Sequence, residues 1–383
     1  MQKKFFWCLL IIICSILCLF FLTENTQNTL PISNSNRFSP NSQKKATTAK
    51  NFEPTRSVDH LPAQKKQTVE KLLADNHFSG TCLLVTQGKI KFLRAYGWQN
   101  WQKKQRNQVA TAYPVNSLQK SLTAYLMMKL VLNHQLTFDQ KIGKFYPKVL
   151  GAQQITLREV LNMASSYQLK SPPTQAKTDQ QVIKNDLTHL KYAPQRIGHY
   201  NYQDVNYTLL AGIAEKITGK SYQALADKYV IKQLHLLNSG FILNSSKKLP
   251  TGYMLQNNHW QKQQIKPTAV ISELGASNMY MSAWDVYRFE AALRNGKLLP
   301  EKDDLYLYLQ TPKDPYTAGI YPTPEYERLH GIGFGFESSA AISSNGKTAV
   351  ILLSNHWNPQ KMLQNTLLPQ LYRLITVKWV YTF

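Results

Sequence analysis

Two pairs of strand-like runs stand at opposite ends of this chain, and together they restrict its fold more than any other feature. Thr81–Thr86 and Lys89–Tyr96 are β-rich and meet at Gln87-Gly88, a hairpin signal. Phe334–Ser343 and Lys347–Ser354 repeat the pattern around Ser344-Asn345-Gly346. Between the pairs the periodicity is helical: Leu118, Leu122, Tyr125, Leu126 and Leu130 recur at near 3.6 spacing. Gln64–Asn76 and Leu363–Ile375 read as flanking helices, and no internal repeat interrupts the pattern. Strands at both ends of a helical insert predict an α/β (α+β) fold: one antiparallel sheet assembled from distant segments, flanked by helices, with an all-helical lobe. At 383 residues, 43% of them hydrophobic, the chain can bury a sizeable core.

The first 62 residues read differently. Phe5–Leu22 is apolar except for Ser15 and three cysteines. Its 18 residues lie at the short end of the roughly 17–25 that span a bilayer. Lys3 and Lys4 precede it, which predicts an N-terminus inside and the bulk of the chain outside. A cleaved signal peptide and a lipoprotein modified at Cys18 are the alternatives. The run is longer than a typical signal core, no small-residue cleavage site follows it, and Leu17 is not the small residue expected before a modified cysteine. Residues 1–22 are therefore expected to form an uncleaved single-pass anchor. Residues 23–62, rich in Asn, Ser, Thr, Pro, Gln and Lys, are expected to form a disordered stalk, and residues 63–383 the folded domain.

Charge narrows the partners. Lys and Arg number 45 against 22 Asp and Glu, a formal net charge of +23. Such a balance suits work near polyanions. Nucleic acid is not expected, because no Cys/His finger, RNP-like segment or long basic helix is present. An anionic envelope polymer or a phospholipid surface remains, beside the plainer reading of a basic chain with no specific partner. The nine histidines form no His-x-x-x-His or comparable cluster, so neither metal nor cofactor is expected. Cys8, Cys14 and Cys18 fall within the apolar run; Cys82 stands alone in a strand and reads as a buried residue. The sequence does not fix the oligomeric state.

Ser117-Leu118-Gln119-Lys120 carries the chemistry. In a helix, residues three apart share a face, so Ser117 in the first turn would lie beside the Lys120 ammonium. A serine hydroxyl needs a base to become a nucleophile, and a lysine serves only if burial or nearby positive charge lowers its pKa. The motif alone is weak, since a cap serine and a solvated lysine have the same spacing. The helix behind it is strongly apolar, with Leu122, Ala124, Leu126, Met127 and Leu130, so Lys120 is expected to be partly buried.

In this context a family resemblance becomes visible. The blocks are Val115–Ala124, Leu136-Thr137-Phe138-Asp139, Ile155–Met163, Tyr200–Ile213, Gly275–Ser282 and His330–Phe336. In that order, over roughly residues 65–375, they resemble the superfamily of class C β-lactamases and low-molecular-weight penicillin-binding proteins. The resemblance implies a β-lactamase/transpeptidase-like fold and an acyl-serine mechanism, with Ser117 as nucleophile, Lys120 as its partner and Tyr202 as a general acid/base. It places His330-Gly331-Ile332-Gly333 at the motif of the strand bordering the site. His330 then stands for a substrate-binding Lys or His, and Gly331 and Gly333 admit a close backbone approach. One oxyanion N–H is assigned to Ser117 and one to Gly333, although Ile332 sits where the motif glycine is expected. The motif's Asn is Asp204 here, which would hold Lys120 charged, receive a substrate ammonium, or simply cap a helix. No Glu is recognisable as a dedicated deacylating base.

The resemblance spans β-lactamases, DD-peptidases, esterases and D-aminopeptidases. With the predicted anchor, the stalk and the charge, it points to an extracytoplasmic serine hydrolase of a Gram-positive-type membrane. Its expected substrate is a D-alanyl ester of lipoteichoic acid. A DD-carboxypeptidase acting on peptidoglycan stem peptides is the alternative enzyme, and a catalytically silent sensor domain is the alternative outside catalysis.

Overall fold

A computed structural model describes residues 53–169, 175–300 and 315–377. The expected anchor and most of the expected stalk lie outside the described residues. The last part of the stalk segment does not behave as a stalk: Val58–Asp59 (β1) pairs with Leu93 and Phe92, so ordered structure begins before residue 63.

The helix Ala63–Asp75 (α1) leads into the hairpin of Gly80–Thr86 (β2) and Lys89–Tyr96 (β3), closed by Gln87 and Gly88 at positive φ. The chain then builds a helical lobe from Gln119–Leu132 (α2), Asp179–His189 (α3) and Val205–Thr218 (α4), with shorter turns between them, and adds Ala283–Arg294 (α5), which packs back onto β2 and the later strand Ala349–Ser354. It returns as Tyr321–Pro322 (β4), Glu327–Gly333 (β5), Phe336–Ile342 (β6) and Ala349–Ser354 (β7), and ends in Leu367–Thr376 (α6). The strands form one antiparallel seven-stranded sheet in the order β1-β3-β2-β7-β6-β5-β4. Its centre is the pairing of β7 with β2, in which Ile351 faces Leu83 and Leu352 faces Cys82. The expected assembly of one sheet from the two chain ends is what forms.

Both faces of the sheet are covered, which explains the near-continuous apolar runs of β2 and β7. Cys82, Leu84, Val350 and Leu352 point towards α1 and α6, where they pack with Val69, Leu73, Leu367 and Leu371. Leu83, Val85, Ile351 and Leu353 point the other way, into a larger core shared with the helical lobe. Alternation at period two thus separates two cores. Cys82 is fully buried, as its sequence context indicated.

Candidate active site

Ser117 sits in a single 3-10 turn, Asn116–Leu118, that runs directly into α2. The turn is fixed from both sides. Ala112–Pro114, the extended segment before it, pairs with Met279–Ser282. Asn116 adopts a left-handed φ of 49° and is fully buried, with its amide nitrogen donating to Gly333 O at 3.4 Å. Behind the turn, Gln119 is buried and acts as a strap. Its Nε2 donates to Asn278 Oδ1 at 2.7 Å, and its Oε1 accepts from the backbone of Asn278 and Met279 at 2.6 and 2.9 Å. Thr123 adds a bond to Gly275 O at 2.6 Å. Segment 275–279 is thereby laced to the helix that carries Lys120.

Lys120 is completely buried. Its ammonium reaches Ser117 Oγ at 2.8 Å, Asp204 Oδ1 at 2.7 Å and Ala276 O at 3.4 Å, with the Tyr202 ring 5.1 Å away. An ammonium has three N–H donors and no acceptor, and here every donor has an acceptor within reach. Burial alone would push its pKa down; the Asp204 carboxylate, and after it Tyr202, more than reverse this and hold it well above the usual lysine range. That direction is opposite to the depressed value a free-amine base requires. Asp204 stands at the start of α4 but makes no side-chain cap; its carboxylate is committed to Lys120, which decides between the cap and ion-pair readings.

Tyr202 is half-buried and packs edge-on against Tyr316 at 5.6 Å. Burial raises its phenol pKa; the Lys120 charge opposes this, Asp204 adds to it, and hydrogen bonds to Lys120 and Ser117 lower it. At rest the group is therefore a neutral phenol beside an ammonium and a carboxylate. A hydroxyl, an acid and a base lie within one proton's reach of each other, which is what acyl transfer through serine needs.

The strand β5 passes in front of this group, and alternation sorts its residues. Gly331 and Gly333 face the Ser117 turn. A methyl group on Gly331 would lie 2.6 Å from Ser117 N and 2.7 Å from Val115 O, and one on Gly333 would lie 2.8 Å from Asn116 Oδ1. Gly331, rather than Gly333, is thus the position against the Ser117 backbone. His330 was expected to line the substrate site, but it belongs to the opposite face. Its Nε2 lies 3.1 Å from Glu337 Oε1, which also accepts from Leu363 N at 2.6 Å on the side of the closing helix. The cause is the register: His330 pairs with Ser339, two residues from Glu337 and on the same face.

Two site neighbours were not singled out from sequence. Ser277 is buried with its Oγ 3.5 Å from Ser117 Oγ. Glu273, one turn before it, hydrogen-bonds to Ser277. Burial first, then the Asp204 charge, push its pKa up to about 7. Ser277 lay inside a recognised block, but nothing local marks a serine that meets its partner 160 residues away. Among the described residues no group of His, Cys, Asp and Glu could hold a metal ion.

Residues 66–368 match the family model described as Beta-lactamase. A Bacillus subtilis (strain 168) protein named as a putative penicillin-binding protein, PbpX, is 29% identical over 89% of this chain and 85% of its own length. A teichoic acid D-alanine hydrolase of Staphylococcus aureus is 28% identical over 91% of this chain and 89% of its own. Among solved structures, FmtA from Staphylococcus aureus superposes with a TM-score of 0.76 at 24% identity, over 84% of this chain and 90% of the other. A D-amino acid amidase from Ochrobactrum anthropi gives 0.68 at 16% identity, over 81% of this chain and 96% of the other. At these identities the structural likenesses speak for the fold.

Proposed function

The chain belongs to the beta-lactamase family of serine hydrolases, and we propose that Ser117 is the residue acylated in its reaction. The observation that carries this reading is the buried ammonium of Lys120 held between Ser117 Oγ and Asp204. In the proposed sequence Ser117 Oγ attacks the ester carbonyl. Its proton passes to Lys120 as Lys120 hands one to Asp204, whose side chain is 48% exposed and open to water. Tyr202 donates to the departing alkoxide as the tetrahedral intermediate collapses to the acyl-enzyme, and the proton held on Asp204 returns through Lys120 to Tyr202, so all three groups are reset. Water then repeats the sequence on the ester of Ser117. The Ser117 N–H and the backbone N–H of Gly333 on β5 serve the oxyanion.

For substrate, the proposed acyl group is D-alanine esterified to a teichoic acid. Three observations support it. The net charge of +23 favours a polyphosphate chain. Asp204 gives one oxygen to Lys120, and the rest of its half-exposed carboxylate is an acceptor for a substrate ammonium; a relative of 28% identity is named for this hydrolysis. We further propose that Phe5–Leu22 holds the enzyme at the membrane with the hydrolase outside. No helix among the described residues is long and apolar enough to cross a bilayer.

The test incubates the full-length chain with D-alanylated lipoteichoic acid and measures free D-alanine. Release that is lost in Ser117→Ala supports the proposal; no release sinks it. Release of terminal D-alanine from a muropeptide pentapeptide in its place would favour a DD-carboxypeptidase.

A further inference from the structure

A cavity of about 950 Å³ opens on the helical lobe between α3, the C-terminal end of α4 and the loop after Phe145, and it shares no lining residue with the Ser117 site. Its walls include Phe145, Val149, Ile183 and Leu187, and apolar surface dominates them. Its rim carries Lys148, Lys184 and Lys220, all exposed and, among the described residues, without a carboxylate partner. Lys216 adds a fourth cation, its ammonium donating to Phe145 O at 2.7 Å and lying 4.2 Å over the Tyr146 ring. The one acid in the lining, Glu215, is engaged in holding the fold, since its Oε1 accepts from Tyr222 N at 2.7 Å.

This combination defines a narrow class of occupant. Apolar walls gain only from an apolar ligand, because a solvated polyanion leaves nothing behind in water when it touches them. A ring of ammonium groups without carboxylate partners gains only from an anion. The volume is that of a single-ligand pocket, which typically runs about 300–1,000 Å³.

We propose that this groove binds one acyl chain of an anionic membrane phospholipid, with the lipid phosphate seated on the lysine rim. The site is separate from the hydrolytic one and orients the helical lobe towards the bilayer. It stands whether or not D-alanine esters are the substrate.

The test uses the full-length chain in a non-ionic detergent and a phosphatidylglycerol bearing a photoactivatable diazirine on its acyl chain, with crosslinked peptides mapped by mass spectrometry. Labels are expected on the segments 145–149 and 183–187. Unlabelled phosphatidylglycerol should compete at least tenfold better than phosphatidylcholine. The variant Lys184→Glu/Lys220→Glu should reduce groove labelling at least fivefold, and Leu187→Gln should reduce it through the wall instead of the rim. Both should keep the hydrolytic rate of the parent, which reports that they fold. Labelling elsewhere, equal competition by phosphatidylcholine, equal competition by soluble poly(glycerol phosphate), or labelling indifferent to both variants would each overturn the proposal.

Discussion

Two buried cations lie close together in this chain, and their different uses are instructive. Arg294 on α5 is wholly buried between carboxylates: Glu290 Oε2 lies 2.6 Å from its Nη1 and Glu327 Oε2 2.6 Å from its Nη2. Glu290 is bonded in turn by Ser121 at 2.6 Å, so the group ties α2, α5 and β5 together. Lys120, the residue before Ser121, is just as buried but shares its protons between one carboxylate, one carbonyl and a hydroxyl beside the solvent-facing site. A guanidinium in a closed cage does not release a proton. An ammonium between an exposed carboxylate and a serine can. The same cost of burial is met by fastening elements in one place and by poising a proton in the other.

The contrast can be broken by substitution. The largest expected effect is at Ser117→Ala: labelling by a fluorophosphonate should vanish and ester hydrolysis should fall by about 10⁴-fold or more, with urea stability unchanged. Next, Arg294→Met leaves the buried Glu290 and the partly buried Glu327 without their cation. It should cost about 3–5 kcal/mol in denaturant titration while the rate per folded molecule holds. A lost rate at unchanged stability would erase the distinction between the two cations.

Asp204→Asn sharpens the other side. Asp204 raises the Lys120 pKa, so its removal lowers it, and the ammonium should titrate at lower pH. The alkaline limb of kcat/KM is then expected to move to lower pH, and the rate at neutral pH to fall roughly 10²-fold. A faster variant at neutral pH would show that the free amine is the working form. The smallest effect is at Glu273→Gln. Glu273 is raised from the ordinary 4.5 to about 7, so the folded protein keeps a proton there that the unfolded chain has released. Stability should therefore fall as pH rises through that window, and Gln should abolish the fall. A few-fold acid limb of the rate near pH 7 should disappear with it, reported by the pH profile of hydrolysis.

Much of this was legible in the sequence, for identifiable reasons. The Ser117–Lys120 proximity follows from helical spacing, and the burial of Lys120 from the apolar residues around it. The two-ended sheet follows from strand runs strong enough to read alone. Other features depend on tertiary detail. Asp204 reads from sequence as a partner of Lys120, a receiver of a substrate ammonium or a helix cap, and only the position of α2 selects the first over the cap. His330 was assigned to the site because its motif position is right, yet a period-two strand sends neighbours to opposite faces, and the register puts Gly331 on the near one. Glu273 and Ser277 act across a sequence distance at which no spacing rule operates.

The order of strands in the sheet also sets when the molecule can exist at all. The middle of the sheet is β7 against β2, segments from nearly the first and nearly the last folded residues. During synthesis the hairpin β2–β3 emerges early, with β1 beside β3, but the other edge of β2 lacks a neighbour until almost the whole chain has followed. Contacts this distant in sequence make for slow closure, and a long wait with apolar strands unpaired invites association with other chains. A ribosome that stops before Ala349 would yield no smaller version of this enzyme, since what is missing is the keystone of its sheet and not a dispensable tail.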